Sequence, residues 1–258
     1  MSASGGRSSA ASWASRARAR SSAPRFTPAA PSRETMADKP GNSGSAMNAR
    51  PGKIVCVGRN YADHAAELGG TVPEEPLIFL KPPSSVIGAG DPIRRPPDVG
   101  RVDYEGEIGL VISRRCRRVS EADSWGYVGG VVAVNDVTAR DLQRKDSQWT
   151  RAKGLDTFCP VGNVVSAGQV EPDRLAVTTQ VNGEVRQQAG AEQMVFSLRH
   201  LLSYISHVMT LEPGDLVATG TPEGVGPLSA GDVVEVSLSC GSSVSNPVEG
   251  GDALAPAR

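Results

Sequence analysis

From Lys53 onward, short apolar runs alternate with breaks rich in Gly, Pro and Asn, which predicts many brief elements rather than long helices. The run Lys53-Ile54-Val55-Cys56-Val57, bounded by Gly52 and Gly58, predicts a buried strand. Asn60 stands at an N-cap position before a short helix over 61–68, which Gly69-Gly70 ends. Further strands are predicted at 77–80, 107–112 and 131–136, with a brief helix at 120–125. Thr138 is placed to cap a helix running to about Ser147. Strands at 177–181 and 185–187 flank Asn182-Gly183, a pair suited to the positive φ angles of a tight hairpin turn. Over 197–209, Leu198, Leu201, Leu202, Ile205 and Met209 share one stripe of an amphipathic helix. Strands at 216–219 and 233–238 complete the sheet. The expected architecture is one α+β domain over 51–250, predominantly β, with three or four short helices.

Composition adds limits. The 258 residues hold 27 Lys+Arg against 28 Asp+Glu, so no general attraction to nucleic acid or an anionic membrane follows. No apolar run reaches the roughly 18 residues of a membrane-spanning helix. Cys56, Cys116, Cys159 and Cys240 are scattered without a CxxC pair, as expected of ordinary reduced thiols. The charge balance conceals an asymmetry: Arg7, Arg16, Arg18, Arg20, Arg25 and Arg33 precede the first acidic residue, Glu34. Such a Ser-, Ala- and Arg-rich leader cannot bury enough apolar surface to offset chain entropy, so residues 1–50 are expected to be disordered, as is the tail 251–258. Two origins stay open for the leader. It is an organellar transit peptide, for a mitochondrial or plastid protein, or upstream sequence before a start at Met36 or Met47, for a cytoplasmic one.

Chemistry concentrates in a few places. Glu105 and Glu107 stand two apart where a strand opens, which projects both carboxylates to one face. Like charges that close raise each other's pKa unless a cation relieves them, and a hard divalent ion with oxygen ligands does so. Asp136, where an apolar strand opens into a loop, is a plausible third carboxylate; a solvated strand face is the competing reading. His64 and Glu67 lie three apart on one helix face, where a carboxylate can orient an imidazole for activating water, or where both simply meet solvent. His200 and His207 have no chemical neighbour and read as structural. The turn Thr219-Gly220-Thr221-Pro222-Glu223-Gly224-Val225-Gly226 offers backbone N–H groups and two hydroxyls to a carboxylate, or is only a tight turn. It lacks the Gly-Lys-Ser/Thr of a P-loop. Lys153 is a lone cation that also suits an exposed surface.

These motifs gain meaning in combination. The ordered set Gly58-Arg59-Asn60-Tyr61-Ala62-Asp63-His64, Phe79-Leu80-Lys81-Pro82, Tyr104-Glu105-Gly106-Glu107, Asn135-Asp136-Val137-Thr138-Ala139-Arg140-Asp141, Lys153 with Cys159-Pro160, and Thr219-Gly220-Thr221-Pro222 closely resembles the fumarylacetoacetate hydrolase family over 53–249. It looks most like the short, single-domain acylpyruvate hydrolases and oxaloacetate-acting members. The resemblance implies that family's mixed β-roll with a few short helices, commonly as a homodimer. It implies Mg²⁺ or Mn²⁺ on Glu105, Glu107 and Asp136, a water-activating dyad of His64 and Glu67, and a catalytic lysine at Lys153. It also puts Arg59, Arg140, Gln143 and Thr221 near the substrate, a small 2-oxo acid. The leader cannot supply the extra N-terminal β domain of fumarylacetoacetases proper, and there is one copy where decarboxylase-isomerases often have two.

The implied activity is cleavage of an acylpyruvate to pyruvate and a carboxylic acid. The metal would act as Lewis acid on the 1-carboxylate and 2-oxo oxygen, and His64 with Glu67 would deprotonate water. Lys153 would stabilise the oxyanion, while Arg140 and a hydroxyl of Thr219 or Thr221 anchor the carboxylate. Oxaloacetate decarboxylation or tautomerisation, and isomerisation of 2-hydroxyhepta-2,4-diene-1,7-dioate, use the same enolate and stand as alternatives. A non-catalytic metal- or carboxylate-binding domain is the remote one. Segments 68–75 and 187–195 are expected to select the acyl group.

Overall fold

Ile54–Gly58 forms the strand its apolar run predicts, pairing parallel with Leu216–Ala218 and antiparallel with Leu77–Lys81. The computed structural model describes residues 50–67 and 72–254, which fall in one compact unit. The leader and the side chain of Glu67 lie outside the described residues. A six-stranded sheet runs in the order Val165–Ser166, Val128–Asn135, Gly106–Ile112, Leu216–Ala218, Ile54–Gly58, Leu77–Lys81. Its central strands are covered on both faces, which is why they read as continuous apolar runs rather than alternating ones.

The two faces feed different cores. Val55, Val57, Ile108, Leu110, Val131 and Ala133 pack with Val177, Val236 and Val244 of a second sheet. Leu198, Leu201, Leu202 and Ile205 of the helix Leu198–Val208 seal the same core, each contributing roughly 1.5–3 kcal/mol by leaving water. Ser197 caps that helix by accepting from the His200 N–H. Ile54, Cys56, Val132, Val134, Leu216 and Ala218 face the other way, onto Cys159 and Val161.

The second sheet orders Glu184–Gly190, Ala176–Val181, Val233–Leu238, Ser243–Gly250 and Ile93–Arg95. Asn182 and Gly183 turn the first hairpin at φ 54° and 80°. A small sheet of Gly226–Pro227, Val102–Tyr104 and Thr138–Ala139 completes the frame of the site. No helix among the described residues is long and apolar enough to cross a membrane.

Several local expectations need correcting. Thr138 does not cap a helix: it pairs with Asp103 in the small sheet, its hydroxyl donates to the Asp136 carbonyl, and the helix is Arg140–Lys145. The strand predicted to end at Gln187 runs on to Gly190, so 187–190 is sheet rather than a selecting loop. Ser243–Gly250 escapes the sequence pattern because Asn246-Pro247 reads as a turn, yet Val244, Asn246 and Val248 are its buried face. At the C-terminal end, the Leu254 N–H reaches the Asp98 carboxylate, so packing continues past residue 250.

Candidate active site

The chain leaves the small sheet at Tyr104 and enters the large one at Gly106, placing Glu105 at the junction rather than inside a strand. A side chain replaces the sheet ladder there: the Glu105 N–H donates to Asn135 Oδ1 at 2.9 Å. The Asp136 N–H in turn donates to the Glu105 carbonyl at 2.8 Å. With Glu107 opposite Val134 in register, Glu105, Glu107 and Asp136 bring carboxylate oxygens within 4.8 Å of one another, all buried. Two glycines permit this approach. A Cβ on Gly106 would lie 1.9 Å from Thr179 Oγ1, so the second sheet touches the acid-bearing segment directly. Gly220, at φ 100°, aims its N–H at Glu107 Oε2, 2.9 Å away.

Cations interleave with these acids. Lys153 Nζ stands 2.7 Å from Glu105 Oε2 and 2.6 Å from Asp136 Oδ2. Lys81 Nζ lies 2.6 Å from Asp136 Oδ1. Arg140 joins Glu105 at 2.6 Å and Asp103 at 2.8 Å, and its Nη1 donates to Gln143 Oε1. Burial pushes Glu105 upward, but the charges of Lys153 and Arg140, with a smaller one from His64, hold it well below the usual carboxylate range. Burial also raises Glu107, and there the charges of Asp136 and Glu105 raise it further. Burial works against the Lys153 ammonium, yet Asp136 and Glu105 keep it protonated with a raised pKa.

A cavity of about 240 Å³ opens onto this cluster. Its wall includes Glu105, Glu107, Asp136, His64, Lys153, Arg59, Arg140, Gln143 and Thr221. Two of the anticipated carboxylate donors are otherwise engaged. The Thr219 hydroxyl donates to the Ile108 carbonyl and lies outside the wall, and the Thr221 hydroxyl donates to the Gly106 carbonyl. Lys153 is buried rather than exposed. His200 and His207 sit outside the cavity, His200 stacked between Phe196 and Tyr204.

The spacing of residues did not reveal Lys81, Asp103 or Gln187. Gln187 clamps the site from the second sheet: it accepts from the Gly106 N–H and donates to Thr221 Oγ1 and the Pro222 carbonyl. Lys81 lies within a quoted motif but, as a lysine on an edge strand, carries no signal of burial. Phe79 and Trp149, edge to face at 5.3 Å, form the cavity's apolar wall.

The donor set suits a divalent cation. Three carboxylates converge, and among them Glu107 forms no ion pair with a described cation. Comparison with known proteins agrees with this chemistry. The model of the fumarylacetoacetate (FAA) hydrolase C-terminal family matches residues 53–249. The chain is 45% identical to oxaloacetate tautomerase FAHD1, mitochondrial, of Arabidopsis thaliana, over 76% of this chain and 91% of that protein. Among solved structures it is similar to 2-hydroxyhepta-2,4-diene-1,7-dioate isomerase from Mycobacterium marinum, at 44% identity and TM-score 0.71, covering 78% of this chain and 75% of that one. It is likewise similar to fumarylpyruvate hydrolase from Pseudomonas aeruginosa in complex with Mn²⁺ and pyruvate, at 33% identity and TM-score 0.74, covering 78% and 90%. Motif order, fold and these likenesses converge: the chain belongs to the fumarylacetoacetate hydrolase family and is an enzyme of its hydrolase, isomerase and tautomerase group.

Proposed function

We propose that this enzyme works on a small 2-oxo acid through its enolate, and that interconversion of the keto and enol forms of oxaloacetate is the activity its site supports best. The observation that carries this reading is the position of Lys153. Its ammonium is buried against Glu105 and Asp136 instead of reaching toward a distant carbonyl, as an oxyanion donor for hydrolysis would. A fixed positive charge beside the carboxylate cluster suits an enolate whose charge develops next to it. The likeness to an oxaloacetate tautomerase at 45% identity supports the same choice.

Glu105, Glu107 and Asp136 would hold Mg²⁺ or Mn²⁺. Such an ion, when bound, polarises the 1-carboxylate and 2-oxo oxygen as a Lewis acid. His64, buried in the cavity wall, moves the proton between carbon and oxygen: it takes one from carbon and gives it to the 2-oxo oxygen to form the enol, and in the reverse direction takes the enol O–H proton and delivers one to carbon. Phe79 and Trp149 keep the wall apolar and limit water. The homodimer that the family resemblance implies belongs to the same proposal.

Acylpyruvate hydrolysis is the second reading, favoured by His64 and Glu67 sharing the short helix Ala62–Glu67, an arrangement suited to activating water. The two separate in one experiment. Decay of enol oxaloacetate is followed by ultraviolet absorbance, and pyruvate release from acetylpyruvate, fumarylpyruvate and oxaloacetate by a coupled assay, each with Mg²⁺ and with EDTA. Mg²⁺-dependent ketonisation with little pyruvate release is expected. Pyruvate release from an acylpyruvate that outpaces ketonisation would replace the first reading with the second.

A further inference from the structure

We infer that Gln187 is a positioning residue that sets the cation selectivity of the Glu105–Glu107–Asp136 cluster, by locking the backbone between the two glutamates. The inference rests on the reading of that cluster as a divalent-metal site. The large sheet ends short of this backbone. Leu216–Ala218 pairs with Gly106–Ile112 only as far as Gly109, and the chain then turns away through Gly220. Gly106, between Glu105 and Glu107, lies beyond that limit, so its outward N–H and carbonyl have no ladder partner from that strand.

Side chains replace the missing ladder. The Gly106 N–H donates to Gln187 Oε1 at 3.0 Å, and Gln187 Nε2 donates to Thr221 Oγ1 at 2.8 Å. Thr221 Oγ1 donates back to the Gly106 carbonyl at 2.9 Å. These three bonds close a ring in which every proton points the same way round. The other Nε2 proton goes to the Pro222 carbonyl at 2.8 Å, so both N–H bonds of the amide are used. Turned over, the amide would set N–H against N–H and oxygen against oxygen, which fixes its orientation. Gly106, Gln187 and Thr221 are all buried, where low dielectric strengthens each bond and a ring polarises its members.

The aim of Gln187 comes from an irregularity in its strand. Glu184–Gly190 pairs Gln187 with Thr179 but Val185 with Gln180, which leaves Arg186 as an extra, bulged residue. A bulge re-aims the side chains beside it. Glu184, Val185 and Arg186 are all exposed, and buried alternation begins only at Gln187. The turn that carries Thr221 sits on the same bulge: a Cβ on Gly224, at φ 90°, would lie 2.2 Å from the Arg186 carbonyl oxygen.

Glu105 and Glu107 are thus held relative to each other through one residue whose N–H and carbonyl are both clamped. Glycine has the freest backbone of any residue, so the ring supplies stiffness that Gly106 itself lacks. Stiffness discriminates between cations. Mg²⁺ demands near-ideal octahedral ligands at about 2.0–2.1 Å, whereas Ca²⁺ tolerates irregular shells at about 2.3–2.6 Å. Freed carboxylates can still follow the larger ion but no longer enforce the stricter shell.

The test titrates Mg²⁺ and, separately, Ca²⁺ into the metal-free full chain by calorimetry. No substrate is present, so the outcome does not depend on which 2-oxo acid the enzyme turns over. Gln187→Met keeps the side chain's length and removes its three hydrogen bonds. It is expected to weaken Mg²⁺ by about 10- to 100-fold, the range for residues that orient metal ligands, and Ca²⁺ by less than about 3-fold. Thr221→Val opens the ring from the other side, should lower the ratio of Mg²⁺ to Ca²⁺ affinity in the same direction, and serves if Gln187→Met folds poorly. The double variant should lose no more of that ratio than Gln187→Met alone, because the ring is already open. Equal weakening of both ions, an unchanged ratio in the folded variants, or additive losses in the double variant overturns the inference and leaves the metal site standing. Wild type that binds neither ion sinks the metal reading itself, and the inference with it.

Discussion

Asp103, Glu105 and Asp136 each have a cation within 2.8 Å, whereas Glu107 has a single backbone N–H from Gly220. The pairs are not interchangeable, because Lys153 serves two carboxylates at once. Removing it leaves Glu105 to Arg140 alone and Asp136 to Lys81 alone and adds one negative charge to the buried cluster, and breaking a buried pair in this way typically costs about 3–5 kcal/mol. Lys153→Met is therefore expected to lower urea stability by that amount in EDTA, and Mg²⁺ is expected to recover a larger share of stability in the variant than it adds to wild type. Equal Mg²⁺ effects in both would show that the lysine and the ion do not serve the same carboxylates. Arg59 has the opposite energetics, since its left-handed backbone costs roughly 1–2 kcal/mol for a residue with a Cβ. Glycine relieves that strain but loses about 0.5–1 kcal/mol to chain entropy. Arg59→Gly should then melt at or slightly above the wild-type temperature. A clear drop in melting temperature would mean that the arginine is held for packing instead.

At the scale of elements, the site exists because two sheets meet at a residue without a side chain. A Cβ at Gly106 would overlap Thr179 Oγ1, the nearest atom of the facing strand, at 1.9 Å. Gly106→Ala should push Ala176–Val181 away from the acid-bearing segment, at the 1–3 kcal/mol usual for overpacking. Removing the obstructing hydroxyl with Thr179→Ala should recover most of that loss in the double variant, because the next atoms, Gln187 Oε1 and Thr179 Cβ, are both 3.3 Å away. Additive losses in a double-mutant cycle of denaturation would refute this contact. The same junction explains what the sequence could and could not disclose. The helix Leu198–Val208 and the buried strands are legible because their periodicity is local. Glu105, Glu107 and Asp136 are legible only as members of an ordered motif set, since an E-x-E on a strand equally describes a wet face. Lys153 is legible only through the same motif set and the role of Lys81 not at all, since a lysine's burial depends on carboxylates 48 and 17 residues away in the first case and 55 in the second. Ser243–Gly250 is hidden for a related reason, because Asn246 is buried by bonds to the distant carbonyls of Gly88 and Asp91.

Across the molecule, three apolar cores surround a polar cluster whose charges do not cancel when every carboxylate is ionised. Four buried carboxylates (Asp103, Glu105, Glu107, Asp136) face three buried cations (Lys81, Arg140, Lys153), an excess of one negative charge that the half-exposed Arg101 offsets only at the rim. Metal-free stability should therefore depend on pH with two branches of opposite sign. Glu105 is held below its ordinary pKa, so its contribution is present above the ordinary value and is lost as pH falls through the lowered one. Glu107 is raised, first by burial and then by Asp136 and Glu105. Its contribution is complete below the ordinary carboxylate value and is lost as pH rises toward the raised one, because the unfolded chain releases its proton first. Glu107→Gln removes the second branch and leaves the first. In EDTA, the variant should melt higher than wild type at neutral pH and show a flatter decline over the interval that opens above the ordinary carboxylate range. Since a divalent ion binds the deprotonated carboxylates, its stabilisation of wild type should grow over the same interval, and the variant should lose most of that gain. Melting curves taken across the interval, with and without Mg²⁺, decide the matter. Parallel declines for the two proteins in EDTA would show that Glu107 carries its charge without strain, and the excess negative charge would then have to be relieved elsewhere in the cluster.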